Sequence, residues 1–147
     1  MTTLTEILLN DETRPVLIND CVNLINEEVA SKSGLGGLAI KTAFKTVKAI
    51  KPGIIPDAVK YLLDDFVDKL EPVYAAYTAS GSGNIKTYVV QTSDVVADNL
   101  LAITDERAEQ SRHKGLVKAY KKLRPQGKKQ VIAAMPRIGE MLAKHGL

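Results

Sequence analysis

The spacing of apolar residues along this chain is helical from end to end. Apolar side chains recur at intervals of three and four residues, as at Leu17, Cys21, Leu24 and Ile25, and this spacing places them on one face of a helix. No stretch shows the sustained alternation of apolar and polar residues that a half-buried strand requires. The pattern predicts an all-α chain, with residues 1–147 folded as a single-domain irregular bundle of six to eight helices.

Prolines, glycines and capping residues divide this pattern into elements. Pro72 lies inside the longest apolar stripe, where we expect a kink or a break. The Ser80-Gly81-Ser82-Gly83 stretch predicts a flexible connector near 80–84. The Arg124-Pro125-Gln126-Gly127 stretch predicts a tight turn, so the C-terminal region would form a helical hairpin. The expected helices cover about 4–9, 13–30, 35–50, 56–77, 84–104, 105–123 and the residues from this turn to 145.

A short helical-pair solenoid is the alternative architecture. Pro15, Pro56 and Pro136 each lead into a helical segment, at separations of 41 and 80 residues. A spacing of about 40 residues is typical of such solenoids. The member expected near residue 96 is missing, so the pattern favours the bundle.

Composition and the lack of targeting signals indicate a cytoplasmic protein. The chain is 45% apolar and 25% charged, as is usual for globular domains. Its N-terminal stretch lacks the basic region of a secretory signal, and no apolar run approaches the roughly 20 residues of a membrane span. Cys21 is the only cysteine, so no disulfide framework is expected.

Charge is distributed unevenly along the chain. Residues 110–147 contain ten Lys or Arg and one acid, Glu140, whereas residues 1–109 contain ten basic and sixteen acidic side chains. A second basic stripe is expected on the third helix, at Lys41, Lys45 and Lys48. An ordinary solvated lysine face is the competing interpretation of both sets. The main candidate interaction surface consists of Lys114, Lys118, Lys121, Lys122, Arg124, Lys128 and Lys129.

Two sequence motifs have the form of cofactor sites. Asp64-Asp65-Phe66-Val67-Asp68 has the D-D-x-x-D form of Mg²⁺-diphosphate sites, but its helical phase turns these carboxylates away from the apolar stripe. Gly34-Leu35-Gly36-Gly37-Leu38-Ala39 has a loose dinucleotide-binding form, but no strand precedes it. We expect a solvated acidic face and a close-packed helix start, with no metal or other cofactor.

Catalytic chemistry finds little support in the sequence. His113 and His145 lack partners at metal-binding spacing, and Cys21 lies on an apolar stripe that favours a core position. We therefore expect no catalytic site. Whether the protein is an enzyme stays open, and the non-enzymatic interpretation is favoured.

Several turns and caps together are similar to those of a known family. They are Arg14-Pro15, Lys51-Pro52-Gly53-Ile54-Ile55-Pro56, Thr104-Asp105-Glu106-Arg107-Ala108 and Gly127-Lys128-Lys129. The chain resembles an uncharacterised family of small, mainly actinobacterial helical proteins, a domain of unknown function. The resemblance implies a self-contained bacterial cytosolic protein and implies no site residues.

The leading functional hypothesis is a non-enzymatic interaction protein. Its lysine-rich C-terminal hairpin would bind an acidic protein surface. That surface could belong to the protein's own acidic body, through Asp64, Asp68 and Glu71, within a monomer or across a homodimer. Sequence-nonspecific nucleic-acid binding by the same lysines is the alternative. An enzyme of unrecognised type is the third hypothesis.

Overall fold

Seven helices and no strands make up residues 3–147, which are the part of the chain that the computed structural model describes. The all-α, single-domain prediction is confirmed, as is the expected number of helices. Met1 and Thr2, which open the N-terminal stretch considered above, lie outside the described residues. The helices are α1 (Leu4–Leu8), α2 (Thr13–Ser31), α3 (Gly34–Lys48), α4 (Ile54–Ser80), α5 (Ile85–Gln91), α6 (Ser93–Gln110) and α7 (Lys114–Lys144).

Local sequence explains several of these bounds. The Thr3 hydroxyl accepts a hydrogen bond from the Glu6 amide at 3.2 Å, and this bond caps α1. The Asn84 side chain accepts one from the Thr87 amide at 3.0 Å and caps α5 in the same way. Gly81 follows the end of α4 with a φ of 71°, which is the left-handed conformation that commonly ends a helix.

Two expected breaks are absent, and one expected helix is divided. α4 runs through Pro72 without a break, and α7 runs through Arg124–Gly127 as one helix of 31 residues, so the C-terminal hairpin does not form. The expected helix over 84–104 is interrupted at Thr92, and its second part continues past Thr104 to Gln110.

The exposure of both prolines explains why the two long helices continue. Proline lacks the amide hydrogen that would bond to the carbonyl four residues earlier. Pro72 and Pro125 are exposed, and so are Asp68 and Lys121, which hold those carbonyls. Water can hydrogen-bond to the carbonyl oxygens of Asp68 and Lys121. The buried faces of α4 and α7 continue to pack on each side of the prolines.

The hydrophobic core lies where α1, α2, α4, α5, α6 and the second half of α7 meet. α1 packs on α4, and α2 packs on α7, so elements far apart in sequence touch. A solenoid would pack each unit mainly on its sequence neighbours, and the fold is therefore a bundle. The largest fully buried side chains are Leu4, Leu8, Leu17, Val67, Val89, Val96 and Met135.

One end of the molecule lies outside this core. Within residues 3–147, α3 and residues 114–130 contribute nothing to the main core cluster. Gly37 in α3 instead sits tightly against the end of α2, since a Cβ there would lie 2.7 Å from the carbonyl carbon of Lys32. Among the small residues at 34–39, Gly37 is buried, whereas Gly34, Gly36 and Ala39 are exposed. Every helix in the described part of the chain is too short or too polar to cross a lipid bilayer.

Candidate interaction surface

Two acid-free segments meet at this end of the molecule. Residues 29–56 include all of α3, residues 110–139 include most of α7, and neither segment contains Asp or Glu. The two helices pack against each other and run antiparallel. Gly36, near the start of α3, lies beside Gln126, whereas Ile50, just after α3, lies beside Gly115. The fold thus combines two distant stretches of sequence into one basic end.

A groove of about 480 Å³ lies between α3 and the first half of α7. Two leucines of α3 border it with little cover: Leu35 is 90% exposed and Leu38 is 62% exposed. Adjacent exposed apolar side chains of this size are typical of interaction sites. Among the described residues, no acid lines the groove; its walls are Leu35, Leu38, Ala39, Thr42, Ala43 and Thr46 on α3, and Gly115, Lys118, Ala119 and Lys122 on α7.

The seven residues of the predicted basic surface fall into two groups on α7. Arg124 donates two hydrogen bonds to Asp105 of α6, and Lys128 pairs with Asp94 at 2.9 Å and Asp98 at 3.1 Å. Hydrogen bonds to Asp94 and Asp98 raise the pKa of Lys128, so this lysine stays charged but is neutralised by its partners. The other five are exposed on one side of the helix: Lys114, Lys118, Lys121, Lys122 and Lys129.

The second predicted stripe lies on the flank of α3 that turns away from α7. Lys41, Lys45 and Lys48 are exposed. At about 100° per residue, the centre of this stripe is displaced by roughly a third of a turn from the centre of the α3 residues that line the groove, and Leu38 is the lining residue nearest to it. The Lys48 ammonium lies 5.0 Å from the centre of the Phe44 ring, in a cation–π contact. The groove therefore has lysines on its α7 wall and more lysines beyond Leu38.

Most lysines and arginines of the two acid-free segments form no ion pair within residues 3–147. Nine of the twenty lysines and arginines form ion pairs within residues 3–147. Of the other eleven, only Lys60 and Lys69 lie outside the two acid-free segments. Positive charge at this end is therefore largely uncompensated by the described part of the chain. The nine cations without an ion pair there are Lys41, Lys45, Lys48, Arg112, Lys114, Lys118, Lys121, Lys122 and Lys129.

The acids expected to meet the C-terminal lysines within one chain are engaged elsewhere or exposed. Asp64 pairs with Arg14, and Glu71 accepts a hydrogen bond from the Thr5 amide at 2.9 Å. Asp65 pairs with Arg107. The expected internal contact through Asp64 and Glu71 is therefore wrong, and α6 supplies the acids that meet α7 instead. Two carboxylates of the D-D-x-x-D motif are held by arginines.

A polar network joins α6 to α7, and the sequence patterns above did not predict it. Hydrogen bonds from Arg124, at 2.7 and 3.0 Å, and from Tyr120 hold the pKa of Asp105 below its usual range. Burial, together with the bond to Asp105, raises the pKa of Tyr120 to about 12. Its hydroxyl also shares a hydrogen bond of 2.8 Å with Thr104. The signal was available, because Tyr120 and Arg124 are four residues apart and share a helix face.

The residues considered for catalysis have structural partners. Burial raises the pKa of the Cys21 thiol to about 11, so little of the nucleophilic thiolate exists at neutral pH. The Sγ atom lies 3.8 Å from the Met141 sulfur. His145 caps the end of α7, and its Nε2 lies 2.7 Å from an Asp20 oxygen. Both residues hold the C-terminal part of α7 against α2.

Comparison with known proteins identifies the family of this chain. The sequence model of a family of unknown function (DUF6918) covers residues 4–146. No curated protein and no solved structure matches the chain.

Proposed function

Since the chain belongs to the DUF6918 family, whose function is unknown, we propose a role from its geometry. The protein is a non-enzymatic interaction module that binds an acidic, amphipathic segment of another protein in the groove between α3 and α7. One observation carries this proposal: two exposed leucines border a groove that, in the described part of the chain, is lined by lysines and by no acid.

The groove defines the chemistry of its partner. A groove between two helices is a common site for an amphipathic helix, which places apolar side chains at every third or fourth position into it. Leu35 and Leu38 would meet those apolar side chains. Lys118 and Lys122 would meet carboxylates on the flanks of the bound helix, and such opposite charges speed association and favour acidic partners.

A partner other than a second copy of this chain is favoured. Ten of the seventeen Asp and Glu side chains already form ion pairs within residues 3–147. Asp94 and Asp98 are both paired with Lys128. A second copy would therefore offer seven acids without an ion pair in the described residues, rather than seventeen.

Sequence-nonspecific nucleic-acid binding is the alternative. The nine uncompensated cations support it, because phosphate contacts need only positive charge and release counterions. Within residues 3–147, no aromatic residue on which a base could stack lines the groove. Phosphates also give no reason for two leucines to be exposed beside the lysines, and this difference separates the two hypotheses.

The proposal can be tested with a designed peptide. A fluorescent helical peptide of roughly 18 residues, or five turns, would carry leucines along one face and glutamates elsewhere. Its matched control keeps the leucines and replaces every glutamate with lysine. Fluorescence anisotropy would measure the binding of both peptides, of a DNA duplex and of anionic phospholipid vesicles, each at low and high salt.

Variants locate the binding surface. We expect Lys118→Glu/Lys122→Glu and Leu35→Ser/Leu38→Ser each to weaken binding of the acidic peptide by about tenfold or more. Lys60→Glu/Lys69→Glu and Val95→Ser are matched controls, since Lys60 and Lys69 form no ion pair within residues 3–147 and Val95 is an exposed apolar residue elsewhere. Binding of DNA that depends on the lysines but not on the leucines would replace this proposal with the alternative. Preference for vesicles, or no binding of the acidic peptide, would overturn it.

We also propose a bacterial cytoplasmic setting for this function. The single cysteine, the partly buried Cys21, supports a reducing compartment, and the resemblance of the turns to bacterial proteins supports the source. Fractionation of the native host, followed by immunodetection, would test the compartment.

A further inference from the structure

A second pocket, also of about 480 Å³, lies on the other side of the first half of α7. Residues from α3, α4, α6 and α7 all line it. The described residues that line the groove above belong to α3 and α7. Its volume falls within the roughly 300–1,000 Å³ that is usual for small-molecule sites. Most of the lining is apolar: Val47, Ala58, Leu62, Ala108, Leu116, Val117, Ala119 and Leu123.

The charge that borders this pocket is already neutralised. Among the described residues that line it, Arg107 is the one charged side chain. Its guanidinium pairs with Asp65, donates to the Tyr61 hydroxyl at 2.9 Å and lies 4.8 Å from the centre of the Tyr61 ring. A charged ligand would have to compete with these internal partners, so the pocket favours an uncharged one.

The polar groups of the lining differ in their availability. The Tyr120 hydroxyl is occupied by Asp105 and Thr104. The Gln110 side-chain amide is exposed and, among residues 3–147, makes no hydrogen bond, so it can donate to or accept from a ligand. The Ser111 hydroxyl beside it accepts a hydrogen bond from the His113 amide at 3.2 Å. A ligand of this pocket therefore needs its polar group at the Gln110 and Ser111 end and an apolar body elsewhere.

We propose that this pocket binds an uncharged, mainly hydrocarbon small molecule with a single hydroxyl or carbonyl group. This inference goes beyond the proposed function, because it concerns a separate site and a different class of ligand. The two sites share Ala119 but no other lining residue, so each can be altered without changing the walls of the other.

A neutral fluorescent dye can test the pocket in the full-length chain. N-phenyl-1-naphthylamine would be titrated into the protein and then displaced with 1-decanol or with decanoate, which have the same number of carbons and differ in charge. We expect saturable dye binding and displacement by the alcohol at a concentration about tenfold lower than by the carboxylate. Preferential displacement by decanoate would overturn the assignment of an uncharged ligand.

Two substitutions that fill the pocket test whether the dye binds there. Ala58→Leu and Ala108→Leu add side-chain volume to the pocket, and we expect each to weaken dye binding by about tenfold or more while the helical circular dichroism is retained. Ala102→Leu is the matched control, because Ala102 is an exposed residue of the same helix as Ala108. Unchanged dye binding by both filling variants would contradict the proposal, as would its loss in Leu35→Ser/Leu38→Ser. Sedimentation tests a third outcome. If the protein is a dimer and the dye dissociates it, the pocket is assigned to a second copy instead.

Discussion

The Arg124 guanidinium forms a bidentate pair with the Asp105 carboxylate, with Nε–Oδ1 and Nη2–Oδ2 separations of 2.7 and 3.0 Å. This pair joins the C-terminal part of α6 to α7 at the residue before Pro125. The residue before a proline is normally biased away from helical geometry. Here Arg124 remains helical, and its side chain is held by a carboxylate on the neighbouring helix. The pair is therefore one of the contacts that support an uninterrupted α7.

Asp105→Ala removes the shared acceptor of Arg124 and Tyr120. We expect the free energy of unfolding to fall by about 1 kcal/mol, since hydrogen bonds to a charged group are lost but both side chains of the ion pair are 40% exposed and screened by water. Urea denaturation would measure the change. Glu106→Ala is the control on the same helix, because Glu106 is exposed and forms no ion pair in the described part of the chain. Equal effects of the two substitutions would argue against a stabilising role for the pair.

Gly127→Ala tests the continuity of α7 directly. In the helix, a Cβ at Gly127 would make only ordinary contacts, the nearest at 3.5 Å from Leu101. We therefore expect a gain of about 0.5–1 kcal/mol from the better helix propensity of alanine. Thermal unfolding and helical circular dichroism would report it. In a hairpin with glycine at a left-handed turn position, the same change would destabilise the protein.

Gly139→Ala has the opposite expected effect at another position of the same helix. A Cβ there would lie 2.7 Å from the Lys86 Cα, so α5 and α7 would have to move apart. We expect a loss of about 1–3 kcal/mol, which is typical of overpacking in a tight contact. Urea denaturation of both glycine variants compares an open and a closed site in one element. A neutral result at Gly139 would show that the two helices separate at little cost.

Asp20 should make stability depend on acid pH. Burial raises its pKa, but hydrogen bonds from Lys144 and His145 outweigh this and hold the pKa below the ordinary value of 3.8. A carboxyl with a lowered folded pKa stabilises the protein above its unfolded pKa and loses this contribution as pH falls through the folded value. We expect Asp20→Asn to cost about 1–2 kcal/mol above pH 3.8.

The difference between Asp20→Asn and the unchanged protein should shrink at lower pH, because the carboxyl is then protonated and no longer an anion. Urea denaturation across this range would give both curves. Asp11→Asn, at an exposed acid without an ion pair among the described residues, should leave the curve unchanged. A difference that stays constant with pH would assign the effect of Asp20 to packing alone.

The sequence predicts the helices more accurately than the breaks between them. The bounds of α2 and α3 were predicted within one or two residues, because Ser31–Gly34 and Lys51-Pro52-Gly53 end strongly periodic segments. The segments around Pro72 and Pro125 contain local signals for interruption, but tertiary packing on both sides keeps these helices intact. Helix propensity is local, whereas the contacts that override it join residues far apart in sequence.

The candidate surface was only partly accessible to sequence reasoning. Helical phase placed Lys118 and Lys122 on a polar face, but it could not show that Arg124 and Lys128 would meet acids of α6. The exposed positions of Leu35 and Leu38 were also unexpected, since leucines beside small residues at a helix start normally indicate packing. Only the antiparallel placement of α3 beside α7 shows that these leucines and lysines belong to one surface.

The length of α7 has a consequence for how the molecule opens. At 1.5 Å per residue its 31 residues span about 46 Å, with one half in the core and the other beside two cavities. Amide hydrogens of residues 131–144 should exchange only through global unfolding, whereas those of residues 114–123 should exchange through local opening. Protection against exchange would then change within a single helix, and a ligand at either cavity would raise it in the first half alone.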